Sequence, residues 1–177
     1  MDWLRRFLPG SSPRKDNAAV SSLYAAILGR ARNPDVFGSR GFADTMEGRT
    51  GALAIYSGLV TTRLSAISPQ GRALSSRLTD RIFDDIDAGL RETGVGDASI
   101  ARKVRTIGER FVGLGIAVNE AFLSPEPKTS IMEILERNEL TNGTGTTNAA
   151  DDIINARRIL DTQSAETLLS GELDWQP

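Results

Sequence analysis

The sequence predicts an all-α fold: one antiparallel helical bundle with a less ordered N-terminal tail and a small C-terminal helical extension. Apolar residues recur at spacings of three and four along most of the 177 residues, and no segment alternates as a strand. Proline, glycine and capping residues separate the periodic segments. We therefore expect a flexible tail at residues 1–16, a helical core at 17–124 and a helical extension at 125–177, packed on the core.

The helix boundaries follow from local signals along the chain. Pro34 ends the first helix, and D-T-M-E at 44–47 resembles a capping box with Asp44 as the N-cap. Ser68 and Pro69 form an N-cap and first-turn proline for the third helix. The stretch NGTGTTN at 142–148 is predicted to be a flexible connection. The predicted helices are 17–32, 44–67, 69–92 and 97–123, then shorter ones around 131–135, 153–160 and 165–169.

The stretch RETGVGDASIARKVR, residues 91–105, could be a phosphate-binding loop or a turn between two helices. A phosphate loop keeps its backbone N–H groups free, but Asp97 would occupy them as an N-cap. The lysine and serine or threonine of a P-loop are also missing at the required offsets. We therefore predict a helical corner in which Gly94 takes a positive φ, Gly96 allows the turn and Asp97 caps the fourth helix.

The composition excludes many kinds of chemistry. The chain has no cysteine and no histidine, so it cannot build a Ser-His-Asp or Cys-His catalytic site or an ordinary structural zinc site. A net charge of −2 argues against a nucleic-acid-binding surface. Asp84, Asp85 and Asp87 could be metal ligands, but they point in different directions on a helix, and a solvated or ion-paired face fits them better. We expect no enzyme activity, no cofactor and no metal, with a carboxylate-dependent enzyme as the alternative.

Two charged or amphipathic segments remain open to a functional interpretation. Arg102, Lys103 and Arg105 lie near a helix N-terminus, where the helix dipole disfavours positive charge. They either pair with the acidic face of the preceding helix or contact a partner or anionic lipid. The segment MDWLRRFL contains an apolar side with nearby arginines, which suits the surface of an anionic membrane. A frayed tail, or a tail packed on the bundle, is the alternative for its candidate residues Trp3, Leu4, Arg5, Arg6 and Phe7.

Several runs of the sequence resemble the ubiquinol–cytochrome c chaperone family. The most specific is DDIDAGLRETGVGDASIARKVR at 84–105, and DTMEGR at 44–49 resembles an earlier D-T-x-x-G-R motif. LY at 23–24 and LLSGELDWQP at 168–177 are similar to the ends of bacterial members. The chain departs from the family at Thr50-Gly51, where an aromatic and an acidic residue are usual, and near Tyr56, where a histidine is common. By this resemblance, the signature positions of the family in this chain are Asp44, Gly48, Arg49, Asp85, Arg91, Gly94, Gly96, Asp97 and Lys103.

The resemblance implies a non-catalytic, all-helical assembly factor for ubiquinol–cytochrome c reductase. Its expected client is newly synthesised cytochrome b or another reductase subunit, with the ribosome or a co-chaperone as further candidate partners. We expect the protein in the cytoplasm, with peripheral contact at the bacterial inner membrane as an additional hypothesis. A generic helical adaptor or regulatory module is the alternative function. The candidate partner-binding residues are Asp44, Arg49, Asp85, Arg91, Arg102, Lys103 and Arg105.

Overall fold

The computed structural model describes residues 13–38, 41–92 and 97–176, with side chains described at 18–38, 41–89 and 105–176. Within these ranges it contains seven α-helices and no β-strand, so the predicted all-α fold is confirmed. None of the helices in these ranges is long and apolar enough to cross a membrane. The helices are α1 (Pro13–Ala31), α2 (Met46–Ile67), α3 (Pro69–Glu92), α4 (Asp97–Ala121), α5 (Pro127–Arg137), α6 (Thr146–Thr162) and α7 (Ala165–Ser170).

The predicted helices all exist, and the differences lie at their ends. α1 begins at Pro13 and not at Asn17, because proline is well suited to the first turn of a helix. α4 begins at Asp97, as predicted, and ends at Ala121. The predicted positive φ of Gly94 and the turn at Gly96 lie outside the described residues, as does the side chain that would test Asp97 as a cap.

The cap of α2 differs from the predicted one. Thr45 is the N-cap, with extended backbone angles, and its hydroxyl accepts a hydrogen bond from Gly48 N at 3.1 Å. The prediction that Asp44 fills this role is wrong, because the Asp44 carboxylate is paired with Arg49 instead. Gly48 has a separate requirement: a side chain there would collide with the carbonyl of Ala43. The chain therefore turns into α2 with almost no space between the loop and the first helical turn.

α3 runs back along α2 after a single connecting residue. That residue, Ser68, caps α3 by accepting a hydrogen bond from Gly71 N at 3.1 Å, which confirms the predicted cap. Further along the pair, the buried Ser75 hydroxyl donates to Thr61 O at 3.1 Å. A side chain at Gly71 would collide with Leu64 O, so glycine is needed where the two helices meet. α4 then returns along α3, where Phe83 and Phe111 pack edge to face at 5.7 Å.

Two loops interlock at one end of the bundle, and this corrects the prediction of a flexible connection at 142–148. Ala43 N donates to Leu140 O at 2.8 Å, and the preceding residue, Phe42, is fully buried. Residues Gly143–Gly145 form a 3-10 turn, and Thr146 starts α6. Gly145 is buried against the carbonyl of Gly41, where any side chain would collide. The glycines of this segment therefore allow close contact between the backbones of the two loops.

The C-terminal residues close the other side of α2. Gly171 ends α7 in the left-handed region, at φ 92°, and lies against Ala19 of α1. Trp175 then packs edge to face on Tyr56, with ring centroids 5.9 Å apart. Its indole N–H donates to Ala26 O at 2.9 Å. Because Tyr56 is completely buried, Trp175 packs directly against the hydrophobic core and is itself partly buried.

Candidate functional site

The first pair of predicted partner-binding residues, Asp44 and Arg49, forms an ion pair at the start of α2. Arg49 Nε lies 2.7 Å and Nη2 2.6 Å from Asp44 Oδ1, and both side chains are about half exposed, at 58% and 52%. The guanidinium carbon also lies 4.9 Å from the centroid of the Phe37 ring. The pair therefore holds the entry loop against α2 while leaving one face of each charge in water.

Asp85 ties α1 to α3. It pairs with Arg81 one turn earlier on α3, and the Arg81 guanidinium lies 5.1 Å from the centroid of the Tyr24 ring on α1. Burial of Tyr24, followed by its hydrogen bond to Asp85, raises the pKa of this phenol to about 12. Asp85 therefore has a structural role in this contact, and its carboxylate remains more than one-third exposed, at 37%.

The basic segment of α4 is described only in part. Arg105 pairs with Glu109 on the same helix, with Nε 2.8 Å from Oε1, and both side chains are exposed. This partner lies one turn away on α4 rather than on the acidic face of α3. The side chains of Arg91, Arg102 and Lys103 lie outside the described residues, as does the whole candidate membrane segment with Trp3, Leu4, Arg5, Arg6 and Phe7.

An apolar groove between α2 and α4, with α3 as its floor, is a feature that sequence reasoning missed. The two helices meet backbone to backbone at Gly58 and Gly115: a Cβ on Gly58 would lie 2.7 Å from Gly115 Cα. Because neither residue has a side chain, the two backbones come close here. Next to this contact the helices leave two open spaces, which form the groove.

The larger space is a cavity of about 490 Å³ beside the first half of α2. Phe111 and Leu114 are buried in its wall, and Glu47 and Arg110 are its ionisable residues among those described. The smaller space, about 170 Å³, is lined by both glycines of this contact. Ala54 and Phe111 line both cavities, so the two are neighbours along one surface. The remaining residues of the larger cavity are Met46, Thr50, Gly51, Leu53, Ile86, Gly89 and Ile107.

Large apolar side chains are exposed along this groove. Met46 is 76% exposed beside the larger cavity, and Val112 and Ile116 are 45% and 53% exposed beside the smaller one. The sequence did carry a signal, because residues 112–118 are apolar on nearly all sides of the helix. Leu114 and Val118 of this stretch are buried, whereas Val112 and Ile116 are exposed. An excess of apolar residues over what one buried face needs indicates a binding surface.

The geometry of the groove suits binding of an apolar surface. A concave, mainly apolar surface with a few polar groups is the usual form of a ligand or partner site. Within the described residues, no three acidic side chains come together as metal ligands. The Tyr56 hydroxyl donates to Asp152, which also pairs with Arg30, but this cluster lies away from the groove and Tyr56 is inaccessible. Burial, and then the charge of Asp152, keeps the pKa of Tyr56 well above its usual range.

Comparison with known proteins assigns the family. The model of the ubiquinol-cytochrome C chaperone family matches residues 39–175, which is most of the chain. The chain belongs to this chaperone family. A crystal structure of the Cbp3 homolog from Brucella abortus has the same fold, with a TM-score of 0.77 and 23% sequence identity over 93% of this chain and 92% of that chain. A search of curated proteins gave no match.

The family match covers both internal motifs on which the resemblance rested, and the structure explains one of them. In D-T-x-x-G-R, Thr45 caps α2, Gly48 allows close contact with the loop, and Asp44 pairs with Arg49. The family's chaperone role is therefore the role of this chain, directed at ubiquinol–cytochrome c reductase. The motif around the α3–α4 corner lies partly outside the described residues.

Proposed function

We propose that this chain is a non-catalytic chaperone that binds newly made cytochrome b in the α2–α4 groove and promotes assembly of the reductase. The observation that supports this most strongly is the exposure of Met46, Val112 and Ile116 along one apolar groove in a member of this family. A membrane subunit that has not yet been assembled exposes apolar helices, which need a protein surface to cover them in water.

A helix is the shape that best fits this groove. The space between two crossing helices accepts the apolar face of a third helix, with side chains every third or fourth residue as anchors. The two cavities provide separate places for such anchors, and the Gly58–Gly115 contact lines the smaller one. Because few ionisable residues line them, a bound segment would lose water from its apolar face without leaving charges unpaired.

We also propose that charged residues beside the groove contribute to client contact. Arg110 lines the larger cavity, and Arg105 precedes it on α4. Arg102 and Lys103 continue the same basic segment in the sequence. Asp44, Arg49, Asp85 and Arg91 remain proposed contact residues on the family resemblance. Peripheral attachment at the inner membrane through residues 3–7, and help from a ribosome or co-chaperone, are further parts of the proposal.

The groove is tested by adding a charge at its rim. Ile116→Asp should reduce co-purification of newly made cytochrome b by at least about tenfold, because a buried carboxylate in an apolar interface has no partner there. Leu123→Asp is the matched control: Leu123 is also exposed, at 86%, but lines neither cavity. Helicity measured by circular dichroism should stay unchanged in both variants. Equal cytochrome b capture by the two variants would contradict the groove.

The basic segment is tested separately. Changing Arg102, Lys103 and Arg105 to Glu should impair reductase assembly while the protein stays folded if these residues face the client. If they form structural pairs instead, the same change should lower stability. In cells that lack the gene, haem b absorbance and assembled reductase should both fall. Normal levels of both would favour a generic adaptor role.

A further inference from the structure

The smaller cavity of the groove has the size and shape of a pocket for one side chain. Its volume of about 170 Å³ is close to the size of apolar cavities, about 150 Å³, that bind benzene. Ile82, Phe83 and Phe111 provide apolar walls, and Gly58 and Gly115 bring the backbones of α2 and α4 together at its side. Val112 and Ile116 stand exposed at its rim, so the pocket can be reached from solvent.

One buried polar group beside this cavity has no hydrogen-bond partner. Ser57 lines the cavity and is 1% exposed, and its Oγ finds no partner within the part of the chain that the structure describes. The neighbouring hydroxyls differ: Thr61 Oγ1 donates to Ser57 O at 2.9 Å, and Thr79 Oγ1 donates to Ser75 O at 2.9 Å. Buried polar groups are nearly always paired, so an unpaired one beside a cavity points to a ligand atom.

The lining selects for a particular kind of side chain. No charged residue is among the residues that line this cavity, so a buried carboxylate or ammonium group would have no partner. A purely apolar side chain such as that of phenylalanine would fill the space but leave Ser57 Oγ unpaired. Indole has two fused rings, which exceed a space suited to one. A phenol ring matches both features, because it combines a flat apolar body with a hydroxyl at its far end.

We propose that the smaller cavity takes a tyrosine side chain of the client, with its hydroxyl hydrogen-bonded to Ser57 Oγ. This rests on the proposed function, since the tyrosine belongs to the segment held in the α2–α4 groove. Tyrosine is among the residues that dominate binding energy at protein interfaces, usually from within a well-packed pocket. Ser57 then acts as a specificity residue: its hydroxyl distinguishes tyrosine from phenylalanine, while the apolar walls supply the contact area.

The test uses p-cresol and toluene, the side-chain analogues of tyrosine and phenylalanine, titrated into the full chain and followed by NMR. Both should shift signals of the cavity residues, and p-cresol should bind more tightly. In Ser57→Ala the advantage of p-cresol should fall by roughly 2- to 12-fold, the value of one hydrogen bond. Thr61→Ala is the matched control, because Thr61 also lines the cavity but its hydroxyl already donates to a carbonyl. It should leave the advantage unchanged.

Two further readouts separate this inference from the proposed function. Ser57→Ala should be as stable as wild type or more so, because it removes an unpaired buried hydroxyl, and it should weaken cytochrome b capture less than Ile116→Asp does. Equal binding of both analogues, or no effect of Ser57→Ala on the analogues or on client capture, would overturn the tyrosine assignment. If Ile116→Asp still loses cytochrome b in that case, the proposed function stands without it.

Discussion

The two sides of α2 are packed in opposite ways: one side is closed by its neighbours, and the other leaves an open groove. On the side that faces α1, α6 and the C-terminal residues, Tyr56 is completely buried. Its hydroxyl donates to Asp152, and the ring of Trp175 covers it. Tyr56 can be enclosed on this side because its hydroxyl has a hydrogen-bond partner and because Trp175, near the end of the chain, covers its ring.

The side that faces α4 stays open. There the helices touch at Gly58 and Gly115, and the unpaired hydroxyl of Ser57 lies next to a cavity. Val112 and Ile116 remain in water although equally apolar residues elsewhere are buried. The comparison indicates that the closed side supplies the stability of the fold and that the open side is available to a partner. Changes on the closed side should therefore lower stability, and changes at the groove rim should lower binding alone.

The largest loss of stability is expected for Asp152→Ala. This carboxylate accepts from Tyr56 and pairs with Arg30, whose side chain is 15% exposed. Its removal would leave a mostly buried guanidinium and a buried phenol without their partner, so we expect a cost of about 3 kcal/mol, at the low end of the range for a broken buried pair. Urea denaturation measures it. Tyr56→Phe removes the hydroxyl alone and should cost about 1 kcal/mol; equal losses in both variants would show that the ion pair contributes nothing.

The helix contact of the open side is tested by a matched pair of glycine substitutions. Gly58→Ala places a Cβ 2.7 Å from Gly115 Cα and must push α2 and α4 apart, at a cost of about 1–3 kcal/mol. Gly113→Ala adds the same atom to α4, where no atom lies within 4 Å. It should stabilise the protein by roughly 0.5–1 kcal/mol, because alanine favours the helix. Thermal denaturation should shift in opposite directions; a shared direction would contradict the close contact.

The start of α2 gives a smaller effect that separates the sequence-based prediction from the structure. Thr45→Ala should cost about 1 kcal/mol, because it leaves Gly48 N without its cap. Asp44→Ala should cost no more than about 0.5 kcal/mol, because its ion pair with Arg49 is half exposed. Denaturation midpoints compare the two variants. A larger loss of stability in Asp44→Ala than in Thr45→Ala would support Asp44 as the N-cap, as the sequence indicated.

These residues show which features of the fold could be predicted from the sequence and which could not. The helices followed from periodicity and from local caps such as Ser68, because these signals need only neighbouring residues. Asp44 and Thr45 are adjacent and both suited to capping, so the choice between them depended on where Arg49 and the preceding loop would lie. The loop at 142–148 was misjudged for a similar reason: glycine indicates mobility or close contact, and only the position of Gly41 decides for Gly145.

The groove was harder to predict from the sequence than the helices that form it. Residues 112–118 have more apolar side chains than one face can bury, but the sequence alone does not say how many helices surround α4. The Gly58–Gly115 contact joins residues far apart in the chain and limits how much of α4 the neighbours cover. The charged candidates Asp44, Arg49 and Asp85 each have a structural contact. Their part in client binding stays a prediction.

The last effect is a pH dependence and concerns Tyr24, which joins α1 to α3 and has a pKa of about 12 against an ordinary value of 10.0. Since burial and the hydrogen bond to Asp85 favour the protonated phenol, the folded state holds this proton more tightly than the unfolded state does. The resulting stabilisation is complete below pH 10 and is lost as the pH rises from 10 to 12. Tyr24→Phe cannot ionise, so its free energy of unfolding should fall less than that of wild type across this window.

Urea denaturation of both proteins at several pH values measures that difference. Tyr56, whose pKa is also raised, is present in both proteins and cancels in the comparison. At neutral pH the variant should differ from wild type by only about 1 kcal/mol, the value of one hydrogen bond. With two tyrosines in the chain, tyrosinate absorbance gives a second measurement: the folded protein should show little of it as the pH passes 10. Parallel pH profiles for the two proteins would show that the Tyr24–Asp85 contact does not hold the phenol proton.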